Sequence, residues 1–191
     1  MTVLILGLLL FLGMHSARAV AEPARQRFIA NRGERAWKGL YTVVSLVGFA
    51  LIIWGYGLAR QQPVVLWDPP TWLRHLASPL TLAAFILLAA AYVPRNSVKA
   101  RLHHPMVLAI KAWALAHLLA NQTLADALLF GGFLVWAVLS YRAARQRDRA
   151  AGTRYPAGQL SATLATVAVG AAAWVGFAMW AHAAWIGVRP F

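Results

Sequence analysis

A chain of 191 residues that is 61% hydrophobic, with a mean hydropathy of +0.60, carries more apolar side chain than a water-facing surface accommodates. Only 12% of the residues are charged, yet 18 are Lys or Arg against 5 Asp or Glu, a net charge of +13; so little polar sequence excludes a nucleic-acid binder and points to an anionic membrane surface. There is no cysteine, which excludes disulfides, zinc–thiolate sites, iron–sulfur clusters and thiol nucleophiles.

Six apolar runs are read as spans of a hydrocarbon core about 30 Å thick. They cover residues 2–20, 39–59, 79–93, 105–121, 124–142 and 164–186. The first lacks a basic leader and has Arg18 behind it, which suits a first helix with its amino terminus outside better than a cleaved signal peptide. A basic loop leads to the second. Ser78 and Pro79 supply a cap and a first-turn proline for the third, and Pro94 stops it. His104 and Pro105 repeat that arrangement at the fourth. These two spans are short, so they sit where the bilayer is locally thin or lean on their neighbours. Thr123 and Asp126 have the spacing of a capping box at the start of the fifth. The expected fold is an all-α polytopic transmembrane helix bundle of about six helices, one domain over residues 1–191 without linker or repeat.

Fourteen of the eighteen basic residues fall between alternate spans. Arg18, Arg25, Arg27, Arg32, Arg35 and Lys38 follow the first; Arg95, Lys99 and Arg101 follow the third; Arg142, Arg145, Arg147, Arg149 and Arg154 follow the fifth. Basic loops stay in the cytoplasm, so both termini are expected outside.

The six histidines then sort into two layers. His15, His103 and His104 lie toward the cytoplasmic side, and His75, His117 and His182 toward the outer side. His104 and His117 are thirteen residues apart on one helix, about 20 Å, so they cannot share a metal. His15 and His104 reach the same depth from different helices. Two neutral imidazoles facing each other inside a bundle suit a b-type haem, with Arg18, Lys99 and Arg101 placed for its propionates. Histidines at helix ends also serve structurally by bonding a carbonyl, and both readings stand at this stage. Lys111 either snorkels to the cytoplasmic face or marks a buried site with Trp113. Most tryptophans suit a membrane-interface belt, with Trp54, Trp113 and Trp136 the candidates for a pocket wall.

The segments FLGMHSARA (11–19), NRGERAWKGLYTVVSLVGFALIIWGY (31–56), YVPRN (92–96) and HHPMVLAIKAWALAHLLAN (103–121) together resemble the NnrU family of integral membrane proteins. That resemblance implies an association with denitrification. A plant relative, the zeta-carotene isomerase, is similar across the same region and uses haem b to isomerise a cis double bond; its haem histidines fall on His15 and His104, with His103 and His117 as second-tier ligand candidates here. The plant enzyme has a cysteine just before its His-Pro, where this chain has Arg101 or a neighbour, so a thiolate ligand switch is not open to it.

Three functions follow as expectations. The first is a haem-b protein that isomerises a polyene or carotenoid-like lipid taken from the bilayer, or serves a denitrification-associated redox role. The second is a non-enzymatic membrane subunit that assembles a nitrogen-oxide reductase. The third is a membrane methyltransferase, suggested by the His-Pro helix; it needs a later pair of carboxylates, and after Asp126 only Asp148 remains.

Overall fold

The structure, a computed structural model, describes residues 1–190, and these form helices with no strand beyond isolated bridges. The helices are α1 (Thr2–Val20), α2 (Glu22–Gln61), α3 (Thr71–Tyr92), α4 (Ser97–Leu102), α5 (Pro105–Ala120), α6 (Leu124–Ala150) and α7 (Leu160–Gly176). A π-helical turn over Phe177–Ala181 joins α7 to α8 (His182–Ile186), which ends at Gly187 with φ 78°. Five helices are long and apolar enough to cross a membrane: α1, α2, α3, α6 and the continuous run Leu160–Ile186. The sixth expected span, α5, has 16 residues and reaches only about 24 Å. The chain is therefore a polytopic helical protein, divided into two compact units.

The first unit holds Met1–Asp68 and Asn121–Ala143. Within it α1 runs antiparallel along α2 at backbone contact. A Cβ on Gly55 would lie 2.3 Å from the Leu4 nitrogen, one on Gly7 2.6 Å from the Ile52 nitrogen, and one on Gly48 2.8 Å from the Phe11 nitrogen. Apolar surface gains nothing by leaving lipid tails for other apolar surface, so close packing of small residues holds such pairs together. At the head of α6 the capping box forms as its spacing predicts. The Asp126 amide donates to Thr123 Oγ1 at 3.2 Å, and Asp126 Oδ2 accepts from the Thr123 amide at 3.0 Å and its hydroxyl at 2.6 Å. Tyr56 donates its hydroxyl to Asp126 Oδ1 at 2.5 Å. The strap before α3 is tied to the same turn, with Leu66 N donating to Gln122 O and Leu124 N to Val64 O, both at 2.8 Å.

The basic stretch after α1 is not the loop that its charge suggests. It is helical from Glu22, because Ala, Arg, Gln and Glu are good helix formers. Gly33, at φ 83° and ψ 160°, breaks it. The Arg25 guanidinium then lies 5.8 Å from the Trp37 ring, and Phe28 and Trp37 meet edge to face at 5.8 Å.

The second unit holds Pro69–Ala120 and the chain from Ala144 onward. Here α3 packs along α5 and α7. A Cβ on Gly170 would lie 2.6 Å from the Ile86 Cα, and Trp174 Nε1 donates to Thr81 Oγ1 at 3.0 Å. The expected start of this span is corrected: α3 begins at Thr71, so Ser78 is no cap, Pro79 is interior, and His75 lies in the helix instead of before it. Pro79 has no N–H to give to the carbonyl four residues back, and the neighbouring Thr81 hydroxyl bonds Ser78 O at 2.9 Å. Pro94 ends α3 and Pro105 opens α5, as read. The basic end of α6 is again helix where a loop was expected, since Arg and Ala favour it.

Gly55→Leu should force α1 off α2 and lower stability by at least about 1–3 kcal/mol. Gly57→Ala, with nothing within 4 Å of the new Cβ, should instead stabilise by about 0.5–1 kcal/mol. Thermal unfolding of the two variants in detergent checks the contrast.

Candidate functional site

His15 lies on α1 in the first unit. Its Nδ1 is 2.7 Å from the Phe11 carbonyl oxygen. A carbonyl only accepts, so Nδ1 carries the proton and the neutral ring keeps its lone pair on Nε2. The ring stacks on Phe11 at 4.1 Å and meets Tyr41 at 5.1 Å and the edge of Trp136 at 6.2 Å. Phe49 and Phe133 extend the aromatic wall around Phe11. Trp136 Nε1 is buried and has no hydrogen-bond partner. An oriented imidazole with its partner nitrogen tied to a carbonyl is the usual form of a metal-binding histidine. Arg18 follows about one turn later on α1 and is exposed.

His104 lies in the second unit, between α4 and α5, and its surroundings are polar. Its Nε2 is 2.8 Å from Asp148 Oδ2, near the basic end of α6. Arg145 and the Tyr155 hydroxyl donate to the same oxygen, each at 3.0 Å. The Tyr155 ring stands edge-on to His103 at 4.4 Å and to His104 at 6.2 Å. The backbone beneath is bent sharply. His103 has φ 70° and ψ −53°, and His104 N donates to Leu102 O at 2.8 Å, a positive-φ γ-turn that costs on the order of 1–3 kcal/mol. Burial by itself would raise the Asp148 carboxyl. The hydrogen bonds from His104 and Tyr155, the His104 charge and the Arg145 bond outweigh it and hold the carboxyl below the ordinary carboxylate range.

A b-type haem needs an imidazole nitrogen with an open lone pair, apolar walls and nearby cations. His15 fits on the first two counts and Arg18 supplies the third. His104 presents a different face, because the nitrogen that His15 leaves open is the one that His104 turns to Asp148. Arg101 is exposed, and Lys99 donates its ammonium to Ala91 O at 3.0 Å, at the end of α3. Lys111 is exposed on α5, and Trp113 meets His117 one turn on, with rings 5.4 Å apart. Trp54 is exposed on α2. His182 places Nδ1 2.6 Å from Val188 O, and His75 is exposed. Among the described residues no group of three or more His, Asp or Glu side chains is gathered closely enough to hold a metal ion by itself.

Asp148, Tyr155, Arg145 and Tyr41 were not singled out by the sequence. One signal pointed at Asp148: with five carboxylates in the chain, a single one among four arginines between 142 and 149 is conspicuous. Nothing comparable marks Tyr155, which lies 51 residues from His104.

A family model described as NnrU protein matches residues 3–190. No curated protein and no solved structure matches the chain.

Because the folded-state carboxyl of Asp148 is depressed, its stabilisation is complete above the ordinary value of about 4 and is lost as pH falls through the lower folded value. Acidification below about pH 4 should therefore lower the thermal midpoint of the wild type more than that of Asp148→Asn. Melting curves recorded across that range read the difference.

Proposed function

The chain belongs to the NnrU family, and on that footing we propose that it is a haem-b-binding integral membrane protein of the bacterial cytoplasmic membrane that acts on an apolar, polyene-like lipid. The observation that carries the reading is the His15 tautomer: Phe11 O fixes the proton on Nδ1, so the ring offers Nε2 to a metal. Phe11, Tyr41 and Trp136 wall the ring with aromatic surface that keeps water away, and Arg18 offers a cation to a carboxylate at the polar edge. When bound, the haem supplies an iron able to exchange one electron or to polarise a double bond. An elongated apolar substrate suits this chain because it reaches such a site through the bilayer. The sequence-level likeness to a polyene isomerase suggests the substrate class, and the distribution of arginines supports an amino terminus on the outer side.

The reading predicts a Soret band on protein purified in detergent from haem-replete cells, abolished by His15→Ala. The same spectrum of His104→Ala reports whether that ring is also a ligand. A protein that takes up no haem, or a band that survives His15→Ala, would overturn the assignment and leave a non-enzymatic assembly subunit as the better description.

A further inference from the structure

Among the described residues only Arg95 and His103 adopt positive φ without being glycine, at 55° and 70°, and they bracket α4 on either side. Strain of this kind persists only where the surroundings over-determine it. Here they do. Asn96, 1% exposed, donates its amide to Ala90 O at 2.9 Å and Val93 O at 2.5 Å, and its Oδ1 accepts from Lys99 N at 2.7 Å. Gln159 N donates to Arg95 O at 2.7 Å, and Ser97 N to Thr163 Oγ1 at 2.9 Å. A Cβ on Gly158 would lie 2.3 Å from the Ser97 Cα, so the two segments touch through backbone. The outcome of this bracing is the place of one side chain, the His104 ring beside Asp148.

We infer that Asp148, held by Arg145 and Tyr155, is a positioning residue that locks His104 as the Nε2–H tautomer and directs its lone pair to Nδ1. The direction of the bond follows from the partners of Asp148 Oδ2. The Arg145 guanidinium can only donate to it, and its charge keeps the carboxyl ionised. An ionised oxygen has no proton to give, so Nε2 donates as well. His104 then meets any Lewis acid, a proton or a metal, through Nδ1, whereas His15 meets one through Nε2. The two histidines that the sequence pairs as equivalent are chemically opposite. A carboxylate behind a histidine also stabilises the imidazolium that forms when the ring takes a proton, which is how such pairs serve as bases. The inference does not depend on haem, because Asp148 sets the tautomer with or without one.

Long-range proton–nitrogen correlation spectra of protein labelled with nitrogen-15 histidine, in detergent micelles, test it. The His104 signals are assigned by their loss in His104→Gln. The wild type should show a pyrrole-like shift at Nε2 and a pyridine-like shift at Nδ1 for His104. His182, with Nδ1 against Val188 O, gives the reverse pattern in the same unit and serves as the internal reference. Tyr155→Phe should leave the His104 pattern in place, and Asp148→Ala should move both nitrogens toward the average of the two tautomers. A pyridine-like Nε2 in the wild type overturns the inference by itself, even if Asp148→Ala fails to fold. An unchanged His104 pattern in a folded Asp148→Ala overturns it equally.

Discussion

In the first unit the governing contact is the one between the backbones of α1 and α2. Leu4 lies against Gly55, Gly7 against Ile52 and Phe11 against Gly48, so the sum of the paired residue numbers is constant and the register admits no slip. One turn further along α1 the same register sets His15 level with Val44, and Tyr41, one turn back on α2, meets its ring. The imidazole is thus aimed by glycine contacts one, two and three turns away. Small residues matter more here than in a water-soluble bundle, since hydrocarbon outside the pair is as apolar as the side chains inside it. The His15 nest is the consequence of a shape match made elsewhere on the same two helices.

The second unit solves the placement of its histidine by other means. Hydrogen bonds to backbone carbonyls and a buried asparagine hold a short helix between two unfavourable backbone angles. Polar bracing of this sort is costly inside hydrocarbon and cheap at its edge. His15 and His104 therefore differ in environment as well as in tautomer: one ring is wrapped in aromatic carbon, the other is anchored to an ion pair.

What the sequence made legible was set by local rules. The capping box at Thr123 and Asp126, the proline opening α5 and the proline closing α3 each depend on residues within four positions, and each is present. Hydropathy misplaced the start of α3 because Arg74 and His75 dilute its first turns, while Pro79 imitates a first-turn proline from inside the helix. It also hid the helical state of the basic segments, since hydropathy reads polarity and not helix propensity. The partners of His104 were out of reach for a different reason. Asp148 is 44 residues away and Tyr155 is 51, and no periodicity connects positions on separate elements. The tautomers of His15 and His104 are likewise properties of tertiary neighbours.

The glycine break in α2 has an outcome for the bilayer. Twelve residues of straight helix would hold Arg25 and Trp37 about 18 Å apart, yet the guanidinium sits 5.8 Å from that indole, so the chain doubles back at Gly33. Without the fold, forty residues of helix would project about 60 Å, twice the hydrocarbon thickness, and carry their arginines far out into solvent. Turned at Gly33, residues 22–32 lie beside the start of the apolar run instead of extending its axis, so their arginines stay near its end, the position from which basic side chains anchor a helix to anionic headgroups.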